Sequence, residues 1–292
     1  MTASPAVLLN ARKMIVPANG LQFEVFEAGA GERLALLLHG FPMHAIVWRH
    51  YVGPLVAKGY RVWAVNQRGY GDTSRPPRPE AYGLAALAGD VAALIDASGA
   101  TSVSLMGHDW GGFVAFALAA RSLRPLERLV VINIPHPLCY RAAFARSLAQ
   151  KLRSLYLPLL TIPGPGEWLL SAFRGAAFDF LLRSSLRDPS LLSREARDVY
   201  RDNLCAPGHA RALLSWYRAA GVDLFSSDQL GGLIETPTLM IWGEKDGVFH
   251  PTCLEGTQGY APNVRIERLA GVSHWAPEEA PEEINALLAT FL

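Results

Sequence analysis

Hydrophobic positions in this chain alternate between short continuous runs and stretches of helical spacing. Leu34-Ala35-Leu36-Leu37-Leu38 is unbroken and ends at His39-Gly40. A run of that kind fits a parallel strand buried on both faces. Similar runs at Tyr60–Val65, Thr101–Met106, Leu126–Ile132, Pro237–Trp242 and Val264–Leu269 predict further strands, and the looser alternation at Leu21–Ala28 predicts an opening one. Helical spacing marks Leu84–Ser98, Phe113–Leu118 and the closing segment Pro281–Leu292. Strands that alternate with helices imply an α/β chain, a mostly parallel central sheet with helices on both faces.

One long stretch breaks this rhythm. Between Pro137 and about Leu230 the pattern is helical, rich in Leu, Arg and Ala, and punctuated by Pro163-Gly164-Pro165-Gly166 and Pro207-Gly208. The expected organisation is therefore a core of residues 1–137 and 231–292, with residues 138–230 inserted as a helical cap. No internal repeat or low-complexity segment appears.

Composition narrows the class. The 292 residues are 50% apolar and carry a net charge of +1, enough for a full core and a lid. Near-neutral charge without a basic run argues against a nucleic-acid partner. Cys139, Cys205 and Cys253 stand far apart without a CxxC pair, so reduced thiols are expected and no zinc or iron–sulfur spacing exists. No signal-peptide pattern opens the chain. No apolar run reaches the roughly 20 residues of a membrane span. The expectation is a cytoplasmic protein, monomer or homodimer, with no membrane partner.

The chemistry concentrates at Gly107-His108-Asp109-Trp110-Gly111. A strand precedes it and a helix follows it, which is the context of a nucleophile elbow. Ser at the centre would attack carbonyls. Asp109 instead offers a carboxylate that attacks an sp3 carbon and leaves an alkyl-enzyme ester. The competing reading of Asp109 is a plain helix N-cap, which the flanking glycines disfavour.

Six further motifs accompany the elbow: His39-Gly40-Phe41-Pro42, Arg68-Gly69-Tyr70-Gly71-Asp72-Thr73-Ser74, Asn133-Ile134-Pro135-His136-Pro137, Ser215-Trp216-Tyr217-Arg218, Glu244-Lys245-Asp246 and Gly271-Val272-Ser273-His274-Trp275. In this order they resemble the α/β-hydrolase superfamily, in its epoxide hydrolase-like branch, over nearly the whole chain. The resemblance implies an α/β-hydrolase fold and catalysis without cofactor or metal. It implies Asp109 as nucleophile, His274 as the base that activates water, and Asp246 as the group that orients His274. The order nucleophile, acid, histidine agrees with this. His274 follows the last strand, at the sheet edge where ligands collect in open α/β folds.

Phe41 and Trp110 are expected to supply backbone N–H groups to an oxyanion hole. In the family, the tyrosine equivalent to Tyr217 donates to the epoxide oxygen. Two-tyrosine members carry a second cap tyrosine shortly before a Pro-Gly. Alignment on Pro163-Gly164 puts Leu159 there, and Tyr156 lies three residues earlier, about one helical turn away, as a substitute donor. Trp110, Phe41, His136, Trp216 and Trp168 are candidate substrate contacts, although His136 also reads as a turn device. Asp223 and Asp228 are spare carboxylates.

The expected reaction converts an apolar or aromatic epoxide and water into a vicinal diol. The alternative is hydrolytic dehalogenation of haloalkanes or haloacids by the same Asp-His-Asp set. It lacks the Asn often found where Phe41 stands, and the Arg of fluoroacetate-type enzymes where Trp110 stands. A non-catalytic binding protein on the same scaffold is a third reading.

Overall fold

The structure, a computed structural model, describes residues 4–225, 230 and 232–292. Eight strands form one sheet: β1 (Arg12–Ala18), β2 (Leu21–Ala28), β3 (Arg33–Leu38), β4 (Arg61–Val65), β5 (Ser102–His108), β6 (Arg128–Ile132), β7 (Thr238–Gly243) and β8 (Val264–Leu269). Their spatial order is β1-β2-β4-β3-β5-β6-β7-β8. The β1–β2 and β2–β4 pairs are antiparallel and every other pair is parallel. The continuous apolar runs map onto the central strands, which helices cover on both faces. β7 is buried at all six positions, whereas no position of the edge strand β8 is fully buried. Each fully buried leucine of β3 contributes about 2 kcal/mol of transfer free energy.

β1 is absent from the reading of the apolar pattern. Pro17 and the polar Arg12 and Lys13 obscure it, and only Val16 and Ala18 are buried. The signal was the Asn19-Gly20 pair, with φ of 47° and 71°. Asn-Gly in the left-handed region is the two-residue turn that joins hairpin strands.

Between β6 and β7 the described residues form helices and turns only, from Pro137–Arg146 to Ala220–Asp223. Asp223 accepts a hydrogen bond from Leu84 N (2.6 Å) and so caps the helix Leu84–Ser98. Asp228 lies outside the described residues. Cys139 and Cys253 are buried free thiols and Cys205 is partly buried. Among the described residues no helix is long and apolar enough to cross a membrane.

Candidate active site

The site is built at the C-terminal ends of β3, β5, β6 and β7 and on the loop after β8. β5 runs directly into the helix Trp110–Ala120, whose eleven residues are all buried. The turn between them leaves no room for side chains. A Cβ on Gly107 would lie 2.5 Å from the Gly111 oxygen, and one on Gly111 would lie 2.3 Å from the Leu38 oxygen. Asp109 sits at this turn with φ 51° and ψ −123°. A non-glycine residue held there costs on the order of 1–3 kcal/mol. The surrounding hydrogen bonds maintain it: the Asp109 carbonyl accepts from Gly112 N (2.9 Å) and Phe113 N (3.1 Å).

The Asp109 carboxylate faces a histidine. His274 Nε2 lies 3.4 Å from Asp109 Oδ2, and His274 Nδ1 donates to Asp246 Oδ2 at 2.9 Å. Asp246 is fully enclosed and accepts three more hydrogen bonds, from Val248 N (2.7 Å), Phe249 N (2.9 Å) and Asn133 Nδ2 (2.8 Å). Burial opposes the charge on His274. The Asp246 charge, followed by the hydrogen bonds to Asp109 and Asp246, overcomes it and raises the imidazole to about 10. Burial likewise opposes ionisation of Asp109, but the His274 hydrogen bond and charge, with the Phe41 N–H, hold its carboxyl below the ordinary value. Resting Asp109 is therefore a carboxylate beside an imidazolium.

Phe41 N donates to Asp109 Oδ1 at 2.8 Å. The preceding Gly40 has no space for a side chain, because a Cβ would lie 2.4 Å from the Asp109 Cβ. His39 and His108 are buried and structural in their contacts. His39 bridges the Gly40 carbonyl and Gln67 N. His108 Nε2 donates to the His274 carbonyl (2.9 Å), and burial lowers its pKa to about 4.

A cavity of about 700 Å³ opens above Asp109. Trp110, Phe113, Tyr140, Tyr156, Tyr217 and Phe249 stand among its walls. Tyr217 and Tyr156 line the same cavity, and the Tyr217 ring packs edge-on against Trp110 at 5.1 Å. Burial first, and then the nearby Asp109 charge among others, push both hydroxyls well above the usual tyrosine range. Tyr156 exposes 37% of its surface along the cavity wall even though its hydroxyl is deep. Leu159, three residues on, does not line the cavity.

Four expected substrate contacts sit elsewhere. Trp216 is fully buried behind Trp110, its indole N–H bonded to the Arg68 carbonyl at 3.0 Å. Trp168 lies on the helix Pro165–Ser171 outside the cavity, mostly exposed. His136 caps the helix Pro137–Arg146 and stacks on Tyr260 at 4.5 Å. The Phe41 ring packs edge-on against Tyr217 at 4.9 Å and is not part of the cavity wall. For Trp216, His136 and Phe41 the aromatic body found packing partners that its position in sequence does not reveal. Only Trp110 of that group lines the cavity.

Two positioning residues were missed. Asn133, at φ 45°, reaches Asp246 with its amide and accepts from Gly243 N (3.3 Å). Asn tolerates this left-handed backbone better than most residues. Its place at the C-terminal end of a central strand was the available signal. Glu279, buried, accepts from Ser273 N (2.7 Å) and Ser273 Oγ (2.8 Å), and so braces the residue before His274. Arg187 N, from the helical segment, donates to the same carboxylate (2.7 Å). Among the described residues no cluster of three or more His, Cys, Asp or Glu could hold a metal.

The strand order, the elbow and the Asp-His-Asp line define the class, an α/β hydrolase. A family model for the alpha/beta hydrolase fold matches residues 36–281. Epoxide hydrolase 4 of Mus musculus is 34% identical over 277 residues, which span 94% of this chain and 77% of that protein. A solved mutant of an epoxide hydrolase from Bacillus megaterium, complexed with its product (R)-3-[1]naphthyloxy-propane-1,2-diol, superposes with a TM-score of 0.84 at 27% identity, covering 95% of this chain and 99% of that one. Epoxide Hydrolase A from Mycobacterium thermoresistibile does so with a TM-score of 0.85 at 28% identity, covering 97% and 98%. The chain belongs to the α/β-hydrolase family, in its epoxide hydrolase-like branch.

Proposed function

We propose that this protein hydrolyses epoxides to vicinal diols, with Asp109 as nucleophile. The observation that carries the reading is the placing of two phenols, Tyr217 and Tyr156, on the wall of one apolar cavity with the Asp109 carboxylate. The names of the relatives agree with it.

In the first step an Asp109 carboxylate oxygen attacks one ring carbon and the carbon–oxygen bond to the epoxide oxygen breaks. That oxygen takes a proton from Tyr217 or Tyr156. Phenols whose pKa is raised by burial are neutral at pH 7 and able to donate. Forming the ester removes the negative charge of Asp109. His274 then loses one of the two carboxylates that raised its pKa, and its affinity for the proton falls. It gives up that proton, which passes by way of solvent to the phenolate left by ring opening, and as a neutral base it then takes a proton from water. The hydroxide adds to the ester carbonyl, and the Phe41 N–H stands ready for the resulting oxyanion, with Trp110 N as second donor. Collapse frees the diol and restores the Asp109 carboxylate. Residues 138–230 serve in this scheme as the cap that carries both tyrosines and closes the cavity from water.

A halide leaving group would find fewer partners. Among the described cavity residues Trp110 carries the sole indole, and no Asn is present.

Intact mass of the His274→Ala variant after mixing with an epoxide tests the scheme. The expected result is an adduct equal to the whole epoxide mass, mapped to Asp109. An unmodified protein, or an adduct on another residue, would refute the nucleophile.

A further inference from the structure

The helical segment carries a face that the hydrolytic reading does not use. Leu148 and Leu152 are four apart on the helix Leu148–Arg153 and so share one side of it, Leu155 follows in the turn after it, and Leu159 and Ile162 lie on and just past the next helix, Leu157–Thr161. All five are exposed, Leu148 at 71%, Leu152 at 56% and Leu155 at 70%. Val222 and Phe225 add exposed apolar surface. Leu155, Val222 and Phe225 also line the cavity, so the apolar face continues into its mouth. A cluster of exposed apolar side chains beside a cavity mouth is the kind of surface that interaction sites use.

Charge identifies the partner. From residue 138 to residue 166 the chain holds Arg141, Arg146, Lys151 and Arg153 and no Asp or Glu. Arg146 is paired with Glu255 (2.7 Å), and Arg153 turns inward to the Asp246 and Phe249 carbonyls (2.6 and 2.7 Å). Arg141 and Lys151 make no ion pair among the described residues, and Lys151 stands at the cavity wall. A second copy of the same face would bring like charges together. An anionic lipid surface satisfies both features: apolar side chains enter the acyl boundary while cations meet the headgroups.

We propose that this face, centred on Leu148, Leu152 and Leu155 with Arg141 and Lys151, docks on anionic lipid surfaces and turns the cavity mouth toward the bilayer. The contact is peripheral and needs no spanning helix. An apolar substrate dissolved in the bilayer then reaches Asp109 without crossing bulk water. The docking itself does not depend on the epoxide chemistry.

The test is sedimentation with vesicles of phosphatidylglycerol and phosphatidylcholine, and with phosphatidylcholine alone. Leu148→Glu/Leu152→Glu is the comparison variant, since neither side chain lines the cavity. Expected are co-sedimentation with the anionic vesicles, release by salt, and partitioning weaker by roughly tenfold or more in the variant. Turnover of a water-soluble epoxide without vesicles should be equal in the two proteins. Equal binding to neutral vesicles, undiminished binding by the variant, or no binding at all would each overturn the proposal. A concentration-dependent dimer that the double substitution abolishes, with no vesicle binding, would also overturn it and assign the face to self-association. A protein that docks but opens no epoxide would leave this proposal standing and refute the chemistry.

Discussion

Asp246 receives four hydrogen bonds, and each has a separable consequence. Replacing Asn133 with Ala removes one of them, worth about 1 kcal/mol. Single-turnover kinetics should then show ester hydrolysis slowed by roughly tenfold while alkylation of Asp109 keeps its rate, because only the second step needs His274 as an oriented base. Equal slowing of both steps would mean that Asn133 acts on the nucleophile instead. The two phenols are tested by Tyr217→Phe and Tyr156→Phe. Each leaves one donor, so each should slow ring opening partially, and the double variant by about 10²-fold or more. If Tyr156→Phe is silent, Tyr217 carries the donation alone. In the sequence Tyr156 was visible only as a neighbour of the misplaced Leu159. Its arrival at Tyr217 depends on how two short helices fold back over the sheet.

At the scale of elements, the elbow is tightly constrained by its neighbours. The close approach of Gly111 to the Leu38 oxygen ties the helix Trp110–Ala120 directly to β3. Gly111→Ala should force the two apart and destabilise the fold by about 1–3 kcal/mol, the usual cost of overpacking, read as a lowered midpoint in urea. An unchanged midpoint would show that this contact is easily relieved. A second joint links the helix Leu148–Arg153 to the loop that carries Asp246. Gln150, fully buried, accepts from His250 N (2.7 Å) and donates to the Val248 carbonyl (3.1 Å). The acid of the site and the segment that bears Tyr156 are thus one mechanical unit. The apolar rhythm announced every strand of this scaffold but β1, and the helices around the elbow and at the end of the chain, down to the bounds of Leu84–Ser98 and Val264–Leu269. It did not announce the joints, because polar stitches such as Gln150 leave no periodicity.

For the whole molecule, the buried charge pair makes stability depend on pH. His274 is raised from 6.5 to about 10 in the folded state. Its charged form therefore contributes stability that is fully present below the unfolded value of 6.5 and is lost as pH rises toward about 10. The difference in melting midpoint between the wild type and His274→Gln should shrink across that window. A constant difference would mean that folded His274 carries no extra proton there. The cavity sets substrate preference on the same scale. Its volume of about 700 Å³ and its aromatic walls fit bulky apolar ligands. KM should be lower for an aryl glycidyl ether than for a short aliphatic epoxide, and the reverse order would show that the cavity closes around smaller ligands.

What the sequence determined by itself was the sheet apart from β1, the elbow, and the candidates Asp109, Asp246 and His274 that the fold brings together. Those features rest on local rules: buried strands need apolar runs, and a sharp turn needs glycines around its nucleophile. Tertiary structure decided which aromatics face the cavity. Trp110 and Tyr156 line it, whereas Trp216, Trp168, His136 and the ring of Phe41 do not. It also decided that Asn133 and Glu279 brace the acid and the base. Those contacts join residues more than a hundred positions apart, or depend on which face a short helix presents. Both are settled by packing, which the order of residues along the chain does not display.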